Sequence, residues 1–130
     1  MIKNKIKQIT KKRAIDLTNS SVKDRGVYFV TLHMKYIHTW EQFAEALGNA
    51  FQLPIRNEGF DGTKDWMEDL EWLNKYAYKL VLFDFFKLEN SEFKALLIKF
   101  LTCIVEWWEK DIVQYCVNGE SKSFEVYLVE

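Results

Sequence analysis

Residues 60–73 have the sequence FDGTKDWMEDLEWL, and this stretch decides both the fold and the functional prediction. On a helix that turns about 100° per residue, its carboxylates fall on one side: Asp61, Asp65, Glu68 and Asp69. Its apolar residues fall on the opposite side: Trp66, Leu70 and Leu73, with Met67 beside them. Like charges four residues apart cost a helix a few tenths of a kcal/mol. The row therefore indicates a surface that meets a cationic partner, on a helix anchored by its apolar face.

Apolar runs on both sides of this stretch predict buried strands. Residues 27–32 are VYFVTL and residues 78–83 are YKLVLF. Both are short, rich in β-branched and aromatic residues and without polar alternation, which is typical of a strand covered on both faces. Residues 124–129, FEVYLV, predict a third strand.

Two further helices are predicted between these strands. Thr39 can cap a helix whose capping box closes at Gln42, and Pro54 stops it. Asn90 or Ser91 can cap a longer helix, whose apolar residues form a continuous stripe: Phe93, Leu96, Leu97, Phe100, Leu101, Ile104, Val105 and Trp108. The order strand, helix, helix, strand, helix, strand predicts an α/β fold with a small three-stranded parallel sheet packed by helices.

The net charge of −1 conceals an asymmetry. Residues 1–26 carry eight Lys/Arg and two acids, whereas the remaining residues carry ten bases and seventeen acids, a balance of +6 against −7. Ile2, Ile6 and Ile9 have the spacing of a short amphipathic helix, but no clear cap supports one. We therefore predict a basic N-terminal extension over residues 1–26, solvated in our interpretation, and a folded, acidic domain over residues 27–130.

With this element order, the chain resembles the barstar family of intracellular ribonuclease inhibitors. Members have a strand, a helix ending in Leu-Pro, a loop, and a stretch close to N-W-D-A-L-x-D-C-L-T-D-L-x-W-L before an apolar strand. Here Leu53 precedes Pro54, Asp61 and Asp65 match the two family aspartates, and residues 69–73 are DLEWL. The similarity extends from about residue 27 to residue 130 and implies a barstar-like fold.

In that family the helix and the loop before it plug the ribonuclease active site, and the second aspartate lies where substrate phosphate would. The resemblance therefore implies Asp65 as the first inhibitory anion and Asp61 as the second, with Glu106 added from the following helix. The remaining partner-binding residues implied by the match come from the same helix and its loop: Lys64, Glu68, Asp69, Arg56, Asn57 and Glu58.

The contact residues depart from the family pattern. Gly59 and Phe60 replace the family asparagine and tryptophan, and Lys64 stands where barstar has an aromatic contact residue. Trp66 replaces a cysteine, and residues 55–58, IRNE, replace a tyrosine-rich loop. The expected partner is thus a basic toxin protein, with a secreted ribonuclease as the first candidate, and need not be barnase itself. Neither a cofactor nor direct nucleic-acid or membrane contact is expected.

Other classes stay open, namely a small acidic-site enzyme or metal-binding protein, and a generic interaction module without a nuclease target. The stretch from Asp61 begins like a calcium loop, but Thr63 and Trp66 occupy its third and sixth positions, where a ligand and a glycine are required. The histidines, His33 and His38, lie outside the stretch. The basic leader could bind nucleic acid, although the acidic body opposes this.

Localisation is predicted from what the chain lacks. No secretory signal pattern and no apolar run of about 18 residues occur in the sequence. Two cysteines, Cys103 and Cys116, are too few to suggest a disulfide framework, and Cys103 is expected to be a buried free thiol. These observations favour a reducing cytoplasm.

Overall fold

The computed structural model describes residues 6–56, 58–110 and 123–130. The elements follow in the order β1 (Ile6–Ile9), α1 (Lys11–Ser21), β2 (Val27–His33), α2 (Trp40–Ala50), α3 (Gly59–Met67), β3 (Ala77–Phe83), α4 (Ser91–Lys110) and β4 (Ser123–Val129). Short 3-10 turns, Met34–Tyr36 and Phe85–Lys87, follow β2 and β3. The four strands form one parallel sheet in the order β1-β4-β3-β2. The α/β class and parallel pairing are confirmed, and the prediction of three strands is wrong.

The fourth strand, β1, comes from the basic segment that was expected to extend from the fold. It pairs in parallel with β4, from Ile6 opposite Val126 to Ile9 opposite Val129. Its two central residues are exposed, and its two isoleucines are half-buried. A segment of four residues with this pattern shows no alternation of apolar and polar residues, so the sequence did not predict a strand. The spacing of Ile6 and Ile9 would suit a helix, but both residues lie in this strand, while Ile2 lies outside the described residues.

Helices cover both faces of the sheet, unequally. The main core packs α2, α3 and α4 against one face, where Tyr78, Leu80 and Phe124 are fully buried. On the other face, Ala14 of α1 packs against Val81 of β3 and neighbouring residues of β4. This arrangement leaves α3 on the outside of the thicker layer, with one side against the core and the other toward solvent.

The helix caps predicted from the sequence are present. Thr39 Oγ1 accepts a hydrogen bond from Gln42 N at 3.2 Å, while Gln42 Oε1 accepts from His38 N at 2.7 Å rather than from Thr39 itself. Asn90 Oδ1 caps α4 by accepting from the second and third helical N–H groups. The α4 stripe is buried as predicted except for Leu96, which is half-buried. No helix in the described part of the chain is long and apolar enough to cross a membrane.

Cys103 is a free thiol on α4, as predicted, although the side chain is half-buried rather than fully buried. Cys116 lies outside the described residues.

A hydrogen bond beside the start of β2 makes part of the stability depend on pH. The Tyr76 hydroxyl donates to Asp24 Oδ2, and Gly26 N donates to Asp24 Oδ1 at 2.9 Å. The Tyr76 bond, followed by the Gly26 bond, holds the pKa of Asp24 below its usual 3.8, and the same pairing raises the pKa of Tyr76 above 10.0. The pairing therefore stabilises the fold above the unfolded pKa of Asp24 and below that of Tyr76.

We expect Tyr76→Phe to lower the melting temperature by a constant amount between about pH 5 and pH 9. The difference from the wild type should shrink as pH falls through the lowered pKa of Asp24, and again as pH rises through the raised pKa of Tyr76. Tyr36→Phe is the control, because Tyr36 is a 69 % exposed tyrosine in the turn after β2. A Tyr76→Phe difference that is the same at pH 2.5 as at pH 7 contradicts the assignment.

Candidate functional site: the acidic surface of α3

The helix that carries the carboxylates is shorter than predicted. It spans Gly59–Met67 instead of residues 60–73, because the backbone leaves the helical path just after Glu68. Leu70 adopts a left-handed conformation, φ 53°, while its side chain is fully buried in the core. Bulky residues rarely adopt this conformation. The apolar pattern therefore predicted that the helix continues past Leu70. Asp69 Oδ1 then accepts a hydrogen bond from Glu71 N at 3.3 Å, which stabilises the turn.

Most of the predicted carboxylates face solvent. Asp61, Asp65 and Asp69 are exposed, and the Asp65 side chain is 73 % exposed. On the opposite side of α3, Met67 is fully buried. Glu58, at the N-cap of α3, is also exposed. We call the four exposed acids, Glu58, Asp61, Asp65 and Asp69, the acidic surface.

Lys64 partly neutralises this region. Its Nζ lies 3.1 Å from Glu68 Oε1 and 3.3 Å from Asp65 Oδ1. The hydrogen bond to Glu68 is the main reason that the pKa of Lys64 is raised, so the ammonium stays charged. The Glu68 side chain is only 13 % exposed and is already engaged with Lys64. Residues 58–69 still hold five carboxylates and one lysine, a net charge of −4.

Glu58 is held over the outer side of α3. Trp66 Nε1 donates a hydrogen bond to Glu58 Oε2 at 3.1 Å. Gly62 lies beneath the Glu58 side chain, and a Cβ there would come within 2.4 Å of Glu58 Cβ. Together with Asp65 and Asp69, these residues line a shallow depression of about 330 Å³.

Trp66 was expected to lie in the core, and the structure instead leaves it half-buried at the edge of that depression. Its ring contacts Trp72 edge-on, with 5.8 Å between centroids. The glycine at position 62 is the one signal in the sequence that could have indicated close approach of another side chain to this side of α3.

Two of the predicted site residues lie on other parts of the fold. Arg56 folds back onto α2, where its guanidinium donates to Asn49 Oδ1 at 3.3 Å and to the Leu53 carbonyl. Glu106 is exposed on α4. Asn57 lies outside the described residues.

Both ends of α3 are anchored to the core. At its start, Phe60 stacks on Trp40 with 5.6 Å between ring centroids and meets Phe100 edge-on at 5.4 Å. At its end, Trp108 Nε1 of α4 donates to the Met67 carbonyl at 2.9 Å. The carboxylates therefore project from a backbone that is already fixed, which lowers the entropy lost on binding a partner.

No protein-family model, curated protein or solved structure matches the chain. Within residues 6–56, 58–110 and 123–130, no three His, Cys, Asp or Glu side chains lie close enough together to hold a metal ion. The exposed carboxylates of the acidic surface can form ion pairs and hydrogen bonds with cationic groups.

Proposed function

We propose that this chain is an intracellular, barstar-like inhibitor that protects a cell from a basic toxin nuclease, with a ribonuclease as the first candidate. In this proposal α3 and the loop before it enter the active site of the toxin and block access to RNA. The observation that supports it is the exposure of Asp61 and Asp65 on a helix anchored at both ends. The resemblance of residues 59–73 to the family motif supplies the kind of partner.

The physical basis is mimicry of the RNA backbone. A ribonuclease gathers cationic side chains in order to bind a polyanion and to stabilise the charge that develops on phosphorus. Carboxylates held at the phosphate positions pair with the same cations but offer no bond that the enzyme can cleave. Inhibition is then steric and electrostatic, and no covalent step is involved.

The charge on α3 also affects the rate of association. A net charge of −4 over residues 58–69 attracts a basic partner, and such steering raises encounter rates by about 10- to 10³-fold at low ionic strength. Asp61 has no ion-pair partner among the described residues, so no cation there offsets its charge. Salt should therefore weaken inhibition mainly through slower association.

The proposal is tested by measuring cleavage of a fluorogenic RNA. The probes are barnase and, where one exists, the small basic secreted protein encoded by the neighbouring reading frame. We expect stoichiometric inhibition of at least one of them, which weakens with added salt and is lost in the double variant Asp61→Ala, Asp65→Ala. Inhibition that survives in the double variant would show that α3 does not carry the contact. No inhibition of either probe would argue against the proposal and favour the generic interaction module.

A substitution of Lys64 tests whether more negative charge on α3 speeds association with a basic partner. Lys64→Gln removes the only base of residues 58–69, so their net charge changes from −4 to −5 and Asp65 loses its ion pair. We expect the association rate with a basic ribonuclease to rise a few-fold at low salt, with a steeper salt dependence. Stopped-flow fluorescence measures the rate, and Lys12→Gln on α1 is the control. An association rate that falls in Lys64→Gln would mean that Lys64 itself contacts the partner favourably.

A further inference from the structure

A second cavity lies at the carboxyl ends of β2 and β3, away from the acidic surface. It has a volume of about 450 Å³, within the range of small-molecule sites, and is more enclosed than the depression on α3. Its walls come from the 3-10 turns that follow the two strands and from the start of α4.

The backbone at this cavity has an uncommon conformation. Asp84, the residue directly after β3, is left-handed with φ 61° and ψ 24°. Aspartate tolerates this region better than most residues, because its short polar side chain can bond locally. The Asp84 carboxylate is only 17 % exposed and lies 3.3 Å from Lys87 Nζ. Such backbone outliers concentrate at ligand-binding sites.

The charges around the cavity balance. Asp84 and Lys87 pair with each other, which leaves one cation, Lys35, and one anion, Glu89, beside the imidazole of His38. Neither of these two forms an ion pair with any residue that the structure describes. Lys35 Nζ instead rests 4.9 Å from the centroid of the exposed Tyr36 ring, a contact that leaves the ammonium accessible.

The two unpaired charges restrict the ligand. A polyanion such as a nucleotide is opposed by the carboxylates of Asp84 and Glu89, and a simple amine is opposed by Lys35 and Lys87. A ligand that carries one charge of each sign satisfies both. The apolar part of the wall is formed by Met34 and Phe93, which are buried, and by half-buried Leu88.

We propose that this cavity binds a free amino acid with an apolar side chain. Its carboxylate pairs with Lys35, its ammonium pairs with Glu89, and its side chain packs against Leu88 and Phe93. This site is separate from α3, so its occupation does not depend on whether the chain inhibits a nuclease. Binding here would connect the stability of the fold to the supply of amino acids.

The test is isothermal titration of the full chain with leucine, methionine and phenylalanine. Each is compared with its N-acetyl derivative, which lacks the ammonium, and with its amide, which lacks the carboxylate. We expect at least one free amino acid to bind with 1:1 stoichiometry, and both of its derivatives to bind about tenfold or more weakly. No heat with any of the three at about 10 mM, or equal binding of a derivative, overturns the proposal.

Variants locate the binding. Glu89→Gln and Lys35→Gln should each weaken binding of the amino acid about tenfold, because each removes one ion pair while keeping the side-chain size. Glu45→Gln on α2 and Lys12→Gln on α1 are matched controls, since both residues are exposed and outside the cavity. Circular dichroism checks that all four variants fold. Unchanged affinity in Glu89→Gln and Lys35→Gln excludes this cavity as the site.

Discussion

Replacing Asp65 with alanine should weaken the complex with the inhibited ribonuclease by about 2–5 kcal/mol, while the melting temperature of the free chain stays nearly unchanged. Asp65 is 73 % exposed in the free protein, and its only ion pair among the described residues is with the neighbouring Lys64, so the fold depends little on it. In the complex that we propose, the same carboxylate is buried against cations. Its removal there leaves those cations desolvated and unpaired. The range is that of close charge pairs in protein complexes, for which barnase and barstar are the reference case.

Inhibition constants for RNA cleavage, measured at two salt concentrations, give the size of this effect. Asp16→Ala is the matched control, because Asp16 is an exposed aspartate on α1, which packs on the opposite face of the sheet. It changes the net charge by the same amount without touching α3. Equal losses of affinity in the two variants would mean that only overall charge matters, and that α3 is not the contact.

Replacing Trp108 with phenylalanine should lower the free energy of unfolding by about 1–3 kcal/mol, because it leaves the Met67 carbonyl without its donor. Trp108 is 1 % exposed, and its ring also packs against Tyr78 and Phe124. The lost hydrogen bond is the one that fixes the end of α3. The same variant should therefore weaken inhibition, although Trp108 does not reach the surface.

Urea denaturation followed by circular dichroism measures this loss. Trp107→Phe is the control, since Trp107 is the half-buried neighbour on α4 and has the same indole chemistry. Its replacement should cost less than that of Trp108. An equal cost for both would mean that neither the deeper burial of Trp108 nor its bond to Met67 adds measurably to stability.

The elements that sequence analysis predicted well are those whose signals are local. The stripe of α4 recurs over 20 helical residues and starts at an asparagine cap, so pattern and capping agree. The strands β2, β3 and β4 are apolar runs whose predicted ends are within one residue of those observed. Burial on both faces was wrongly predicted for β2, an edge strand in which only Val30 and Leu32 are buried. In each case the information lies within one short stretch of consecutive residues.

Elements that depend on distant contacts could not be predicted in this way. β1 is a strand only because β4 lies beside it, and its own four residues carry almost no pattern. The end of α3 depends on burial of Leu70 in a left-handed conformation, which no periodicity encodes. At the site, the spacing of the aspartates predicts their exposure. The spacing of residues in the sequence does not determine side-chain conformations. It therefore could not predict that Lys64 pairs with Glu68 or that Arg56 bonds to Asn49 of α2.

The pairing of β1 with β4 can form only late in synthesis of the chain. Ile6 and its partner Val126 are 120 positions apart, so a ribosome adding about 5–20 residues per second completes the partner roughly 6–24 s later. Throughout that interval the nascent strand has no template to hydrogen-bond with. The sheet can close only when translation has passed the long helix, and a chaperone would have its best opportunity to bind before then.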